Sequence, residues 1–591
     1  MRHRKPYLRC PKLLTHYDNI DYKIKVTCVQ SVCSIKTVKK RIPIISWLPK
    51  YKSEYIIQDI IAGITVGLTA IPQGIAYAVI AGLPPEYGLY ASLTAGFVYV
   101  FFGSCYNVTV GPTAIVSAMT AKYVASYSPD FAVLVAFLSG VFILILGIFN
   151  LGFLVEFISI PVIRGFTTAA ALQIAASQLK SLFGTDGRSG NYFYESMTIF
   201  FSNITTVKLW ETILGFSTII MLVLLKMLGR GCNRTDGFVK KTRWFVSLSR
   251  NAVVVIVGMI IAYAIKIALK TEPLIIIGEI GSGLPRYSLP PFSTIVGNET
   301  YSFTDMMQVL GVQSISLPFI VILENVAIAK AFAEEGRIDA TQEMIAIGLC
   351  NIIGSFGQSM PVTGSFTRTA LNHVSGVKTT AGGLSNILLL VFALTILTPM
   401  FYYIPKASLA GLIITAMFSM IDYNILPVIW RSGYRNFVVI VATLLACLFA
   451  GLEYGIIAGI LCEAVILLFI TARPKLDVHI TKGNIVVITL CENLSYCAAE
   501  QVRQKLLKAT SSSEPNLPII IDGTKMKSLD YTGAFNLMSV IPLMAKTNEI
   551  LLLNFNAELK KVCFLMDSNA EKQFVYASGP LELIETLLKN V

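Results

Sequence analysis

Between residues 55 and 473 the chain alternates long apolar runs with short polar connections. The runs include LVAFLSGVFILILGIF after Asp130, ETILGFSTIIMLVLLKML from Glu211, NAVVVIVGMIIAYAIKIAL from Asn251 and NILLLVFALTILTPMFYYI from Asn386. Each approaches or reaches the length that crosses a bilayer as a helix, roughly 20 residues. About fourteen hydrophobic elements can be counted this way, two of them short, and they predict a polytopic α-helical membrane protein. After Lys475 the period changes. NIVVITL, LPIIID and EILLLNF read as strands, and AAEQVRQKLLKA, ELKKVCFLM and LELIETLL read as helices. That alternation predicts a compact α/β domain. The organisation is then a basic N-terminal region over 1–54, a membrane domain over 55–473 and an α/β domain over 476–591.

Two elements break the apolar pattern. YNVTVGPTAIVSAM (Tyr106–Met119) and SMPVTGSFTR (Ser359–Arg368) each open with a short stretch able to form a strand. Glycine or proline follows, then residues suited to a short helix. In the first, Asn107 and Thr109 alternate with Val108 and Val110, and Pro112 suits a first helical turn. Such an element cannot face lipid, because each unpaired N–H or C=O would cost several kcal/mol there. It must be buried in protein or line a watery cavity. Two broken elements in corresponding positions mark a transporter built from inverted repeats, and these two are the third and tenth by count. That spacing suggests about seven elements per repeat.

The chemistry of these elements favours an anion. Two helix N-termini that meet aim free N–H groups and positive dipole ends at one point. Thr363, Ser365 and Thr367 add hydroxyls, and Arg368 adds a permanent charge. A cation has the wrong sign for a helix N-terminus, so Arg368 is favourable there when an anion lies between them. The competing readings are a salt bridge to a buried acid or a side chain that snorkels to the surface.

Composition and charge refine the picture. The chain is 54% hydrophobic and 14% charged, with a mean hydropathy of +0.67. Residues 1–52 carry 13 Lys/Arg against two Asp, which is +11 of the net +13. A basic arm beside the first span places the N-terminus in the cytoplasm. A nucleic-acid arm is the alternative, but no recognition motif accompanies it. The segment Lys226–Arg250 is basic and reads as cytoplasmic, whereas Lys270–Asp305 is acidic and reads as external. Asn203 (NIT) and Asn298 (NET) are glycosylation sequons on segments expected to face out, and Asn233 (NRT) falls in the basic segment. Eleven cysteines and four histidines are scattered without metal-ligand spacing, so no metal and no cofactor is expected. Glu86 sits in a tight turn expected to be exposed. No nucleophile–base pair or phosphate loop argues for an enzyme.

At these residues a family resemblance becomes specific. LPPEYGLYASLTAGFVYVFFGS (Leu83–Ser104), IPQGIAYAVIAGLPP before it, and the GPTA and PVTGSFTRTA elements resemble the sulfate permease (SulP) family of anion transporters. The tail, with DYTG (Asp530–Gly533) after IIIDGT, resembles that family's STAS domain. One departure is Cys105, where the signature usually has a basic residue. The resemblance implies fourteen segments in 7+7 inverted repeats, arranged as core and gate domains, and a homodimer in a plasma or endosomal-lysosomal membrane. It implies an anion site formed by Gln73 and Tyr77 of the first helix, Pro112, Thr113 and Ala114 of the third, and Ser365, Phe366, Thr367 and Arg368 of the tenth. Sulfate is the expected substrate, with chloride, bicarbonate or oxalate as possible others. At Asp530 and Thr532 a scaffold or partner surface is expected rather than a phosphorylation switch.

Glu324, inside VILENVAIAK, is an intramembrane carboxylate and therefore a functional candidate. Its expected role is to carry a coupling proton when sulfate moves. The alternative is a salt bridge to Lys330 or Arg368. An uncoupled anion channel of the same fold is the runner-up function.

Overall fold

The computed structural model describes residues 39–576, apart from 154–157, 188–189, 191, 230–237, 270–272, 334–337, 422–424, 433, 475, 482–484, 512–516 and 567–572. Most of the basic arm, Asn233 and the run LELIETLL lie outside the described residues. The chain divides into two compact units, Met1–Gly459 and Ile460–Val591.

The first unit is helical. It opens with α1 (Ser53–Ile80), α2 (Pro85–Phe102) and the two-residue strand β1 (Val110–Gly111), which leads into α3 (Ala114–Ser126). Then follow α4 (Asp130–Ile148), α5 (Ile160–Phe183), α6 (Phe193–Ser202), α7 (Leu209–Leu228), α8 (Phe238–Leu248) and α9 (Arg250–Leu269). A hairpin of β2 (Thr294–Val296) and β3 (Glu299–Tyr301) precedes α10 (Phe303–Leu310), α11 (Gln313–Phe332) and α12 (Ala340–Phe356). The second broken element is β4 (Thr363–Gly364) followed by α13 (Phe366–Val374). The unit continues through α14 (Gly382–Phe401, with a π-helical stretch at Ala393–Leu397), α15 (Lys406–Met420), α16 (Tyr434–Ala450) and into α17 (Leu452–Ala472).

Seven of the described helices are long and apolar enough to cross a membrane: α1, α4, α7, α9, α11, α14 and α17. The four runs quoted above fall in α4, α7, α9 and α14. The broken elements are too short by the same measure, with 13 residues in α3 and nine in α13. Helices α6 and α8 and the β2–β3 hairpin have no counterpart in the apolar pattern, because each sits in a connection rather than in a run.

Small residues set the packing. Helix α1 crosses α2 where Gly74 meets Gly88, and a Cβ on Gly88 would lie 2.0 Å from the Gly74 carbonyl oxygen. Backbones approach this closely only where no side chain intervenes. Helices α4 and α12 run antiparallel in close contact, with Gly140 against Gly348 and Ile352, and Gly147 against Ile345. Helices α3 and α11 are also antiparallel: the Gln313 side-chain amide donates to the Met119 carbonyl (2.7 Å), and the Tyr123 hydroxyl to the Leu310 carbonyl (3.4 Å). Helices α4 and α11 run parallel, and Phe142 packs edge-on against Phe319 with ring centres 5.6 Å apart. Glu86 departs from the exposed turn expected of it. It is half-buried, because the Gly281 loop lies against its carboxylate.

The second unit holds a five-stranded sheet. Its strands are β5 (Asp477–Thr481), β6 (Ile485–Thr489), β7 (Ile519–Asp522), β8 (Ile550–Leu553) and β9 (Phe574–Val575), in the spatial order β9-β8-β7-β6-β5. All neighbours are parallel except β5 with β6. The three strands expected from the sequence are β6, β7 and β8, each apolar because both faces of the sheet are covered. The hairpin partner β5 and the short β9 were not foreseen; β5 is largely exposed and so lacks that apolar run. Helices α18 (Tyr496–Ser511), α19 (Tyr531–Met544) and α20 (Ala557–Phe564) complete the described part. Asp530 joins two helix starts, accepting from Gly533 N (2.7 Å) and Tyr496 N (2.6 Å), while Thr532 is exposed.

Replacing Gly88 by Ala is expected to force α1 and α2 apart and to cost about 1–3 kcal/mol through overpacking. The thermal unfolding midpoint of the detergent-purified protein should fall. An unchanged midpoint would show that the crossing does not constrain the fold.

Candidate functional site

The two broken elements meet. Strand β1 pairs antiparallel with β4, placing Val110 opposite Gly364 and Gly111 opposite Thr363. The pairing extends on one side, where Ser365 N donates to Thr109 O (2.9 Å) and Thr109 N donates to the Thr369 hydroxyl (3.1 Å). Each strand runs straight into a helix, so the N-termini of α3 and α13 both start at this crossing. Backbone groups that lipid could not satisfy are thereby paired with each other, and the positive ends of two helix dipoles share one location.

Arg368 dominates the crossing. It lies in the first turn of α13 and is 0% exposed. Its Nη2 donates to the Pro112 carbonyl at 2.7 Å, while Nε and Nη1 are buried without a partner. The guanidinium lies against the bare backbone of Gly111, where a Cβ would come within 2.9 Å of Nη1. Neither competing sequence reading is found. The side chain does not reach the surface, and among the described residues it forms no ion pair. A backbone carbonyl, which sequence spacing cannot reveal, holds one edge of the fork and leaves the rest free.

The other expected residues arrange as follows. Thr113 is the residue preceding α3, yet its hydroxyl does not cap the helix; it donates to Glu324 Oε2 at 3.2 Å. Pro112 therefore lies one residue before the cap rather than in the first helical turn, and its carbonyl is turned to Arg368. Ala114, Gln73 and Tyr77 are buried, and Gln73 Oε1 has no partner. Tyr77, Glu324 and Arg368 lie within electrostatic range of one another. The Ser365 and Thr367 hydroxyls are 3.4 Å apart. Phe366 is 52% exposed with its ring against Phe332, so it is not core. The Thr363 hydroxyl is not available to a ligand, because it donates to Val321 O at 2.9 Å. Glu324 is part-buried on α11 and pairs with neither Arg368 nor Lys330, which is exposed. Asn298 is exposed at the β2–β3 turn, whereas the Asn203 amide already donates to Ile199 O (2.9 Å).

A supporting layer was missed at the level of sequence. Asn351 imitates a strand neighbour for Val362, donating to its carbonyl and accepting from its N–H, both at 2.9 Å. Asn372 donates to Asn107 O (3.0 Å), and Asn107 donates to Phe332 O (2.8 Å). Glu343, fully buried on α12, accepts from the Tyr99 hydroxyl (2.9 Å), the Ser104 hydroxyl (2.6 Å) and N–H (3.0 Å), the Cys105 N–H (3.2 Å) and the Asn325 amide (3.0 Å). Asn325 is the neighbour of Glu324. The available signal was the presence of Asn and Glu inside apolar helices, where each must have a specific partner; which partner is a matter of tertiary structure. Together these groups hold a compact, electropositive cradle with unused donors and one carboxyl at its edge, a geometry suited to a small anion.

The sulfate permease family model matches residues 56–443. A bovine sodium-independent sulfate anion transporter is 39% identical over 517 residues, covering 85% of this chain and 84% of that one. Sulfate transporter 4.1 of Arabidopsis thaliana, a chloroplastic protein, is 32% identical over 446 residues, covering 74% of this chain and 62% of that one. Both relatives are named as transporters, not enzymes. A solved structure of murine solute carrier 26 family member A9, an anion transporter in the inward-facing state, superposes with a TM-score of 0.81 at 23% identity, covering 98% of each chain. At that identity the likeness speaks for the fold.

Glu343→Ala would leave the Ser104, Cys105 and Asn325 donors unpaired in the interior, at an expected cost of about 3 kcal/mol or more. Thermal unfolding in detergent should register the loss, with Glu343→Gln intermediate. Wild-type stability in Glu343→Ala would mean that the network does not hold the crossing.

Proposed function

The chain belongs to the sulfate permease family of multi-pass membrane proteins, and on that premise we propose that it is a secondary active transporter that moves sulfate by alternating access. The observation that carries this reading is the fully buried Arg368, with its Nε and Nη1 unpartnered, where two helix N-termini meet. Sulfate is divalent and strongly hydrated, so a site must replace its water with several donors, and a guanidinium can give two in one plane. Gln73, Tyr77, Pro112, Thr113, Ala114, Ser365, Phe366, Thr367 and Arg368 form this site in the proposal, with the Thr363 hydroxyl committed elsewhere. Chloride, bicarbonate and oxalate are further candidate substrates.

Uptake against a negative interior costs about 2.3 kcal/mol per charge per 100 mV, and on the order of twice that for bare sulfate. Transport is therefore coupled, by anion exchange or by a proton, and needs no sodium. Glu324 carries the proton. It sits beside Thr113 at the edge of the cradle, where a neutral carboxyl admits a dianion that a carboxylate would repel. The remaining architecture in this proposal is a basic N-terminal region over 1–54, a transport domain over 55–473 with fourteen segments in two inverted repeats of seven, and a cytoplasmic STAS domain over 476–591. The chain acts as a homodimer in a plasma or endosomal-lysosomal membrane, with both termini cytoplasmic. The exposed Asn298 is the better glycan acceptor, since the Asn203 amide is engaged.

Labelled sulfate flux in reconstituted vesicles tests the reading, with imposed pH and chloride gradients. Saturable counter-flow is expected, and flux indifferent to both gradients would exclude coupling. Arg368→Gln should insert normally yet lose sulfate transport by about tenfold or more; normal sulfate affinity in that variant would move the site elsewhere. Glu324→Gln should keep chloride exchange and lose the pH dependence of sulfate uptake. Survival of that pH dependence would remove the proton role.

A further inference from the structure

Serine and threonine hydroxyls inside these helices usually donate to a carbonyl one turn earlier: Ser92 to Gly88, Thr94 to Tyr90 and Thr120 to Val116. Three fully packed serines do not. Ser117 of α3, Ser139 of α4 and Ser316 of α11 each bury a hydroxyl without a partner, and so does the side-chain oxygen of Gln313 on α11. The three helices that carry them pack against one another.

Their register puts the serines at one level. Ser139 and Ser316 lie three residues before Phe142 and Phe319, the ring pair that joins the parallel helices α4 and α11. Ser117 lies between Thr113, which donates to Glu324, and Met119, whose carbonyl accepts from Gln313; interpolation along antiparallel α11 places it beside Ser316. Ser117 is one turn, about 6 Å, beyond Thr113. Two hydrogen bonds of about 2.8 Å in line cover such a gap with one water between them. Beyond Gln313 the chain reaches Gly311 and Val312, which are exposed.

We infer that Gln313, Ser316, Ser139, Ser117 and Thr113 bracket a water-bridged proton route to Glu324, entering where α3 ends and α11 begins and meeting the anion cradle only at Thr113. The inference rests on the reading of Glu324 as the proton carrier. A proton entering at the Gln313 end is passed on by the bridging waters and hydroxyls. Each Ser or Thr oxygen gains one proton as it releases its own, and the last forms an O–H bond on Glu324, whose carboxylate becomes neutral. The charged and titratable groups around Glu324 are Tyr77 of α1, Arg368 of α13 and, through Asn325, Glu343 of α12. The facing stretches 113–121, 131–148 and 363–364 carry no ionisable side chain, so the route is neutral from Gln313 inward, with Lys122 and Tyr123 of α3 and Glu453 at its mouth.

The test compares Ser117→Ala and the double variant Ser139→Ala/Ser316→Ala with wild type in reconstituted vesicles. Two rates are read: sulfate uptake driven by a proton gradient, and sulfate-for-sulfate counter-flow at fixed pH. Proton-driven uptake should fall by about tenfold or more, with a larger slowing in D2O, as expected when proton delivery becomes limiting. Counter-flow should stay within about twofold of wild type, which also reports correct folding. Wild-type proton-driven rates and isotope effects in both serine variants would overturn the route. Glu324→Gln separates the two ideas. If it loses pH dependence while the serine variants behave as wild type, the route alone fails; if it keeps pH dependence, the proton role of Glu324 fails and the route with it.

Discussion

One contact organises the membrane unit: the guanidinium of Arg368 held against the carbonyl of Pro112 across the β1–β4 pairing. A cation in the first turn of a helix opposes the helix dipole, and a buried one with unpaired N–H groups adds a desolvation penalty. The structure bears both because the same arrangement creates donors aimed at one point. The charge on Arg368 is fixed by the chemistry of arginine and persists at any physiological pH.

Holding that point steady requires the layer around it. Two strands of two residues each cannot fix a crossing by themselves. Asn351, Asn372, Asn107 and Glu343 supply what a longer sheet would have supplied, namely hydrogen bonds from side chains to backbone. Glycines at Gly111, Gly74 and Gly88 let backbone and guanidinium come close. Loss of any one partner leaves a donor or acceptor stranded away from water, which is why these polar groups behave as a set rather than as separate contacts.

The polar groups also divide by task. In the proposed function Arg368 and the helix N-termini attract the anion, and Glu324 sets when a dianion is tolerated. The serines of α3, α4 and α11 stay clear of the cradle. Among the described residues Arg368 and Glu324 form no direct pair, so the guanidinium keeps the charge on which the proposed anion site depends.

The sequence by itself determined the class of protein and singled out the two broken elements that the structure brings together. Many apolar runs of near bilayer-spanning length, and two Gly/Pro interruptions among them, follow from the hydrocarbon solvent and require no knowledge of neighbours. The strands β6, β7 and β8 were legible for the same reason, since burial on both faces makes a strand apolar throughout. Partners were not legible. That Thr113 serves Glu324, that the Thr363 hydroxyl turns to Val321, that Pro112 accepts from Arg368 and that Glu343 gathers its donors from three segments all depend on residues far apart in the chain. Periodicity reports which face of an element is buried. Only the tertiary structure decides what each buried polar atom meets there, because hydrogen bonds are directional and short, while the hydrophobic pattern is neither.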